Sequence, residues 1–260
     1  MYRKIARYGW LPDVPDQRDH LYAPPAAIAA ALPAQINLRS HCHPVLDQGQ
    51  LGSCTAHALA HAIYFDQMKR GEDAPTLPSR LFIYYNQRVI AGTHNQDAGA
   101  MLRDGIKSIA RQGYCSEDRW PYDLAKVTKK PPGAAYHDAK KQAGLAYRRV
   151  PRTLGHLKGC LAEGYPIIVG FTAYESFESP RVTRNGVIPL PAPVESPIGG
   201  HTTLAVGYDD ARQSFTIMNS WGKRWGERGF GYMPYGYLLD AGLAGDFWVV
   251  GSVTKVVTGY

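Results

Sequence analysis

The amino-acid sequence predicts an α+β protein of two lobes, a helical lobe followed by a strand-rich one. The first half carries apolar side chains at the three- and four-residue spacing of buried helix faces. The second half carries short β-branched and aromatic runs bounded by glycine, proline or aspartate. A chain of 260 residues is long enough for one large core or two smaller ones.

Three helices are predicted in the first half and a short one at the start of the second. The first begins at Cys54, with Ser53 as its capping residue, and ends near Lys69. The others occupy residues 79–92, residues 99–113 and a short stretch opened by Thr153 and ending at 162–164. The helices therefore dominate residues 32–140, which we interpret as the helical lobe.

Five strands are predicted in residues 141–260, which we interpret as the β-rich lobe. They are the runs "YPIIVGFT", "TTLAVGY", "SFTIMNS", "GFGYMP" and "DFWVVGSV". The pair Asn185-Gly186 predicts a tight turn between strands. Residues 1–31 are rich in proline, aspartate and alanine and lack the periodicity of a core element, so they are assigned to a separate amino-terminal segment.

The composition excludes several classes of protein. With 45% hydrophobic residues the chain belongs to the folded class, and its apolar runs are too short to span a bilayer. The net charge of +7 comes from scattered basic residues without the aromatic interleaving of a nucleic-acid module. We expect a monomer with no nucleic-acid or membrane partner. No signal peptide is recognised, and the compartment stays open.

Four cysteines, Cys42, Cys54, Cys115 and Cys160, are widely spaced. The absence of a C-x-x-C motif argues against a zinc ribbon, and four cysteines are too few for a disulfide scaffold of this length. Cys160 lies in a short apolar helix and is expected to be buried and inert. A bridge between Cys42 and Cys115 is left open, because the sequence does not give their separation.

His57 and His61 lie four residues apart on one helix, a spacing that metal ligands also use. The motif "HALAH" lacks a catalytic glutamate, and no third ligand is evident. The histidines at 41 and 43 in "HCH" are too close together to enclose a metal. We interpret these side chains as surface or packing residues and expect neither a metal nor an organic cofactor.

Cys54 is placed in the first turn of its helix, where free N–H groups and the positive dipole end favour a thiolate. Position alone fits an activated nucleophile and a small buried side chain equally well. His201, preceded by two glycines and followed by a buried strand, is the candidate base. Asn219, at the end of an apolar strand, is placed to orient an imidazole. Considered one at a time, His201 is better explained as a buried core histidine and Asn219 as a turn residue.

Taken together, three blocks resemble the active-site blocks of the papain-like cysteine peptidases, in the same order. They are "QGQLGSC" (48–54), "GGHTTLAVGYDD" (199–210) and "NSWGKRWGERGFGYM" (219–233). The third is highly specific, and the resemblance extends over residues 32–250. From Cys54 to His201 is 147 positions (201 − 54), within the roughly 130 to 150 of that family. The resemblance implies a papain-like fold, with the active-site cleft between a helical lobe and a β-barrel-like lobe.

The resemblance also implies roles for individual residues. Cys54 corresponds to the nucleophile, and His201 to its general base, later the acid for the leaving amine. Asn219 corresponds to the residue that orients His201, and Gln48 to the donor of the oxyanion hole. Trp221 matches the tryptophan that shields the histidine–asparagine bond from water.

The expected substrate-binding residues follow in the same way. Gly99 resembles the glycine whose backbone pairs with extended substrate. Ala100, Gly199 and Gly200 suggest a roomy specificity pocket. The sequence does not reveal which side chain the pocket prefers.

Three departures from the usual family pattern resemble bacterial members. Thr55 replaces the aromatic residue after the nucleophile, Leu51 replaces a disulfide cysteine, and the upstream segment is too short for a long helical prosegment. Residues 1–31 are expected to cover the cleft as a short inhibitory pro-region, anchored by Trp10 and Leu11. The alternative is a segment that packs on the back of a lobe. In the first case the aspartates at 13, 16 and 19 would lie near basic groups bordering the cleft.

The sequence therefore predicts a cysteine endopeptidase that hydrolyses a peptide or protein through an acyl-enzyme. Two alternatives remain open. One is a catalytically silent relative that binds peptides, which would have no need of the intact Cys54, His201 and Asn219. The other is a transpeptidase or ligase that passes the same acyl-enzyme to an amine.

Overall fold

The computed structural model describes residues 8–251. Helices in this range are α1 (Ala26–Ala30), α2 (Cys54–Lys69), α3 (Arg80–Ile90), α4 (Leu102–Gln112), α5 (Gly133–Ala139), α6 (Leu154–Ala162), α7 (Pro180–Asn185) and α8 (Tyr235–Leu239). Strands are β1 (Trp10–Leu11), β2 (Gln35–Asn37), β3 (Ala100–Met101), β4 (Tyr147–Arg149), β5 (Ile167–Tyr174), β6 (Pro197–Asp209), β7 (Ser214–Met218), β8 (Phe230–Pro234) and β9 (Ala244–Val250). The predicted helical first part and strand-rich second part are confirmed.

Helix α2 is the central helix, and its predicted bounds are confirmed. It packs against α3 and α4 on one side and against β5, β6 and β9 on the other. Its alanines allow this close approach, and nearly every residue of its first three turns is buried. Ser53 occupies the capping position, but its hydroxyl bonds the Tyr122 hydroxyl (2.6 Å) and makes no bond to a helix N–H.

The starts of the other helices follow local chemistry. Ser79 caps α3, since its Oγ accepts from the N–H of Phe82 (3.1 Å). Thr153 caps α6 by accepting from the N–H of His156. Helix α4 begins at Leu102, three residues later than predicted, because Gly99 adopts a left-handed conformation (φ +75°) and residues 100–101 form β3.

The larger sheet has seven strands in the order β4-β9-β5-β6-β7-β8, with β2 also paired to β6. All of these pairings are antiparallel. The five predicted strands correspond to β5–β9, and residues 252–253 of the last predicted run lie outside the described residues. The barrel-like expectation is corrected: β4 and β8 remain edges within residues 8–251, and the sheet is open.

The predicted turn at Asn185-Gly186 is wrong. Asn185 is the last residue of α7, and Gly186 is its left-handed C-cap (φ +71°), with its N–H donated to the carbonyl of Val182. Asn-Gly suits a hairpin turn and a helix end for the same reason, since both need a residue at positive φ. The pair alone does not distinguish them.

The sheet carries a core on each face. Side chains of β5 alternate between them: Val169 and Phe171 join the core that includes α6, while Ile168 joins the core formed with α2 and α4. Trp248 of β9 belongs to the second core. No helix within the described range is long and apolar enough to cross a membrane.

Residues 8–22, which we call the strap, run along this body. Strand β1 pairs in parallel with β3, so that Trp10 lies opposite Ala100. Further on, the strap joins the β4 edge, where the Tyr22 N–H donates to the Arg149 carbonyl (2.8 Å). Tyr22 is only 1% exposed and belongs to a core. The carboxy-terminal end of the strap is therefore buried in the core at Tyr22, and its amino-terminal end pairs with β3.

Candidate active site

Cys54 is the first residue of α2, and its side chain is fully buried. The backbone N–H groups of Gly9, Thr202 and Thr55 are hydrogen-bonded to its sulfur, and these bonds favour the thiolate. Burial has the larger effect and raises the pKa of the thiol to about 11. The helix start was expected to lower this pKa. In the covered site, exclusion of water outweighs the helix N–H groups.

His201 lies on β6, opposite Phe171 of β5. Its Nε2 is 2.8 Å from Asn219 Oδ1, and the Ser220 N–H also donates to that oxygen (2.8 Å). The second bond fixes the amide orientation, so Nε2 carries the proton. Nδ1 is buried and has no hydrogen-bond partner among the described residues. Burial lowers the pKa of His201 to about 4, and the Asn219 bond opposes it. The ring is therefore neutral, with Nδ1 as its basic nitrogen.

Gln48 is fully buried in the loop before α2. Its Nε2 donates to the carbonyl of Leu51 (2.7 Å), and its Oε1 accepts from Ser220 Oγ (2.6 Å). The Gln48 N–H also donates to the Ser220 carbonyl (2.8 Å). This side chain therefore connects the nucleophile loop to the residue after Asn219.

Aromatic rings enclose the imidazole. The centroid of Trp221 is 5.0 Å from that of His201, and those of Phe171 and Phe177 are 5.6 and 5.9 Å away. Trp221 is 2% exposed. The wall excludes water from the bond between His201 and Asn219, and Trp221 lies where the sequence resemblance placed it.

The loop before Cys54 has a support that the sequence did not indicate. The Tyr122 hydroxyl donates to the Gln48 carbonyl (2.9 Å) and bonds Ser53 Oγ. His57 binds the Ser53 carbonyl through Nδ1 (3.0 Å), and its Nε2 lies 3.0 Å from Arg80. Tyr122 lies 68 positions (122 − 54) beyond Cys54, in a stretch without a recognisable motif, and only the fold brings it here.

His57 is thus a packing residue, as predicted. His61 is buried in the same helix, 6.1 Å from the ring of His43. The described part of the chain contains no group of three or more side chains arranged to hold a metal ion. All four cysteines are free, so the open question of a Cys42–Cys115 bridge is answered in the negative.

The strap covers the nucleophile. Gly9 lies against Gly52, with no space for a Cβ between them, and its N–H points at the Cys54 sulfur. The ring of Tyr8 stands edge-on to His201 (5.8 Å between centroids), and its hydroxyl donates to Glu178 (2.5 Å). Both catalytic candidates are therefore shielded by residues 8 and 9.

Beyond Gly9 the strap continues along β3. The Ala100 N–H donates to the Gly9 carbonyl (2.8 Å), while the Gly99 N–H donates to the Tyr84 hydroxyl (3.0 Å). The strap therefore pairs with the N–H of Ala100, the residue after Gly99. Gly200 lies under the Trp10 carbonyl and indole.

Acidic side chains anchor the strap, as the sequence suggested. Asp19 pairs with Arg103 and with Arg149 (3.4 Å), and Asp16 lies 3.8 Å from Lys107. Asp13 is itself buried: it accepts from the Arg103 N–H (3.0 Å) and from Trp248 Nε1 (2.9 Å).

A second buried carboxylate, Asp246, meets Asp13. Asp246 Oδ2 accepts from the Asp13 N–H (2.7 Å), and Oδ1 accepts from Arg149 (3.0 Å). Burial, and then the negative charge of Asp246, raises the pKa of Asp13 to about 6. Asp246 lies far along the chain from the strap, in a stretch without a motif, and was not predicted from the sequence.

Comparison with known proteins identifies the class that this fold and site define. The model of the papain family of cysteine proteases matches residues 32–246. The chain belongs to this family, whose members are hydrolases.

Individual relatives support this family assignment. The chain is 43% identical over 220 residues to an uncharacterised peptidase C1-like protein of Acanthamoeba polyphaga mimivirus, covering 82% of this chain and 71% of that protein. It is 26% identical to cathepsin K of Gallus gallus, covering 86% of this chain and 65% of cathepsin K.

Among solved structures, xylellain, a cysteine protease from Xylella fastidiosa, superposes with a TM-score of 0.89 at 42% identity, covering 98% of this chain and 99% of xylellain. Digestive procathepsin L 3 of Tenebrio molitor superposes with a TM-score of 0.67 at 20% identity, covering 96% of this chain and 76% of that chain. The second likeness concerns the fold alone. The papain-like fold predicted from the sequence is confirmed.

Proposed function

We propose that the protein is a cysteine endopeptidase that cleaves peptide bonds through a Cys54 acyl-enzyme. The observation that carries this proposal is the state of His201. Its Nε2 is bound to Asn219 Oδ1, while Nδ1 is left as a buried base without a partner among the described residues. Thr202, the next residue, contacts the Cys54 sulfur. A base and a thiol are thus held at one end of the cleft.

The proposed reaction has two steps. In the first, Nδ1 of His201 takes the thiol proton, and the sulfur of Cys54 bonds to the scissile carbonyl carbon. The imidazolium then gives that proton to the leaving amine as the carbon–nitrogen bond breaks. In the second, water attacks the thioester, its proton passes through His201 to the sulfur, and the acid is released. Asn219 keeps the ring oriented throughout.

Gln48 supplies the oxyanion donor in this proposal. Its Nε2 has two hydrogens, and the bond to Leu51 uses one. The other is proposed to act together with the Cys54 N–H, which is free of intrahelical bonding because it lies in the first turn of α2. The bond from Ser220 prevents the amide from turning over.

We propose further that the strap keeps the enzyme latent. Gly9 directs its N–H at the sulfur and its carbonyl at the Ala100 N–H. No carbonyl carbon of Gly9 is therefore presented for attack, and the strap occupies the cleft without being a substrate. The burial that raises the pKa of Cys54 comes in part from this cover.

The proposal is tested by Cys54→Ala in a background where Gly9→Ala loosens the strap, with Cys42→Ala in the same background as the matched control, because Cys42 is also free and only partly buried. Cys54→Ala is expected to abolish hydrolysis of a peptide library and labelling by a thiol-reactive epoxide, while Cys42→Ala keeps both. Turnover by a pure, folded Cys54→Ala protein would exclude the mechanism.

The two alternatives make different predictions in the same assay. A silent peptide-binding relative would bind peptides without cleaving them, even with the strap displaced. A ligase would yield amide products when an amine competes with water, which mass spectrometry of the products detects. The buried, unpartnered Nδ1 of His201 favours a catalyst over a binding module, because leaving a buried nitrogen unpaired costs stability.

A further inference from the structure

Asp97 connects the nucleophile loop (residues 48–53) to the segment that precedes β3. Both of its carboxylate oxygens accept from the N–H of Gly52, each at 3.2 Å. Gly52 lies two residues before Cys54, and Asp97 lies two residues before Gly99. One side chain thus joins the backbone next to the nucleophile to a segment 45 positions further along the chain.

The hydroxyl of Tyr84 extends this connection to the backbone of the cleft. It donates to Asp97 Oδ1 and accepts from the Gly99 N–H (3.0 Å). Tyr84 is fully buried in α3. Burial, and then the negative charge of Asp97, raises the pKa of this hydroxyl, so it stays protonated and keeps its role as a donor. The N–H groups of Gly52 and Gly99 are therefore joined through two side chains, which we call the Asp97–Tyr84 link.

Arg88 fixes the loop from which Asp97 extends. Its guanidinium lies over the Tyr84 ring, 4.0 Å from the centroid, and donates to the carbonyls of Gln96 and Val127. Arg88 is fully buried on α3, one turn after Tyr84. Because a buried cation holds the carbonyl of the residue before Asp97, the carboxylate is presented from a rigid support.

The two joined segments are the ones on which the strap rests. A Cβ on Gly52 would lie 3.2 Å from Gly9 Cα, and one on Gly99 would lie 2.6 Å from the Gly9 carbonyl oxygen. The same carbonyl accepts from the Ala100 N–H (2.8 Å). An extended chain in the cleft therefore contacts both segments at once. Their separation determines whether a chain paired with β3 also reaches Cys54.

Within residues 8–251 no disulfide holds these segments together. All four cysteines are free, and Leu51 of the nucleophile loop stands where the usual members of the family carry a disulfide cysteine. We propose that Asp97, acting with Tyr84, is a positioning residue that fixes the nucleophile loop against β3. A substrate held by the backbone at 99–100 is then in register with Cys54. The inference rests on the proposed peptidase function.

The test compares two substrates in the full chain carrying Gly9→Ala, in which the strap is loosened. One is an extended peptide that reaches β3, and the other is an ester of a single acylated amino acid that reaches only Cys54. Asp97→Ala releases the nucleophile loop from β3. It is expected to lower kcat/KM for the extended peptide about tenfold more than for the ester. A general loss of stability would lower both rates alike.

Three further variants define the cause of this loss. Tyr84→Phe keeps the ring and removes only the hydroxyl, so it should give the same selective loss on the extended peptide. Asp97→Asn keeps an acceptor for the loop N–H and should recover part of the loss. Asp73→Ala, at an exposed position, is the matched control and should leave both rates unchanged.

Labelling of Cys54 separates this inference from the proposed function, because it needs no turnover. With Gly9 unchanged and the strap in place, Asp97→Ala should raise the rate of alkylation by iodoacetamide about tenfold, since the strap rests on both joined segments. In the Gly9→Ala background the same substitution should raise this rate far less, because the cover is already loose.

Equal losses on the peptide and the ester would overturn the inference, and so would an unchanged labelling rate with the strap in place. Absence of cleavage of either substrate, with the labelling rates as expected, would count against the proposed function alone.

Discussion

Gln48 combines a structural and a proposed catalytic task in one amide group. Its oxygen accepts from Ser220, and its nitrogen donates to Leu51 and, in the proposed mechanism, to the oxyanion. Truncation to alanine would remove both tasks at once. Glutamate has almost the same shape and keeps the acceptor for Ser220, but it has no N–H at pH 7.

Gln48→Glu is therefore expected to lower kcat by about a hundredfold or more, because the oxyanion loses a donor and meets a negative charge. Steady-state kinetics on a short peptide measure this loss. Ser220→Ala, which removes only the bracing bond, should have a smaller effect. Equal losses in the two variants would mean that Gln48 acts only through the position of its loop.

The thiols give a second prediction at this scale. All four cysteines are free, and three of them are buried. Thiol titration in denaturant should find four reactive groups, whereas the native protein should react slowly at Cys54 because burial raises its pKa to about 11. A count of two in the denatured protein would contradict the structure.

At the residue scale, the sequence predicted the proposed catalytic residues but not the residues that hold the nucleophile loop and the strap in place. Cys54, His201, Asn219 and Gln48 lie in recognisable blocks, and the structure brings them to one region. Tyr122 and Asp246 lie in stretches without a motif. Their roles depend on which segments the fold places beside the loop and the strap, and local spacing carries no information about that.

The strap is the element whose removal is most informative. Deleting residues 1–31, the whole predicted segment, would also remove Tyr22 from a core and the Pro24 ring from its contact with Gly159. Such a deletion mixes loss of stability with loss of cover. A change at Gly9 acts on the cover alone, since a Cβ there would overlap the backbone carbonyl of Gly52.

Gly9→Ala is expected to raise the rate of hydrolysis of short peptides, because the strap no longer fits against Gly52. The measurement is the initial rate, with thermal unfolding as the check on stability. Gly133→Ala, where a Cβ meets nothing within 4 Å, is the control and should leave the rate unchanged. A folded Gly9→Ala protein with the wild-type rate would refute inhibition by the strap.

Elements with local signals were predicted well. The start of α2 at Cys54 and the start of α6 after Thr153 are confirmed, whereas the predicted cap by Ser53 is wrong, because its side chain makes no bond to a helix N–H. The strand assignment of five runs is also confirmed. Asn185-Gly186 was misassigned because a hairpin turn and a helix C-terminus both need a residue at positive φ. The order of the strands in the sheet depends on contacts between distant segments, and no run of residues encodes it by itself.

The whole molecule couples latency to pH through Asp13. Its pKa is raised to about 6 while the strap is docked and returns toward 3.8 when the strap is released. Between pH 3.8 and about pH 6, docking of the strap is therefore accompanied by uptake of a proton by Asp13. This contribution to docking is complete below about pH 4 and is lost as the pH rises through 6. Asp16 opposes it little, because its lowered pKa comes mainly from Arg18 within the strap itself.

We expect latency to deepen as the pH falls from 7.5 to 5. The quantity to measure is the activity of the wild type divided by that of Gly9→Ala at each pH, which cancels the pH dependence of the chemistry. The ratio should fall by at most about tenfold per pH unit. Asp13→Asn should flatten it, and an unchanged slope in that variant would assign the effect to other groups.

The buried Tyr22 has a further consequence for inhibition. Because the chain is fixed in the fold at Tyr22, residues 8–11 remain on a short tether when they leave the cleft. A short tether gives an effective concentration of about millimolar, so a weak intrinsic affinity is enough to keep the cleft closed. A separate peptide with the sequence of residues 8–13 would lack this advantage and should inhibit Gly9→Ala poorly at micromolar concentration. Latency is then set by the length of the tether as much as by the contacts of the strap.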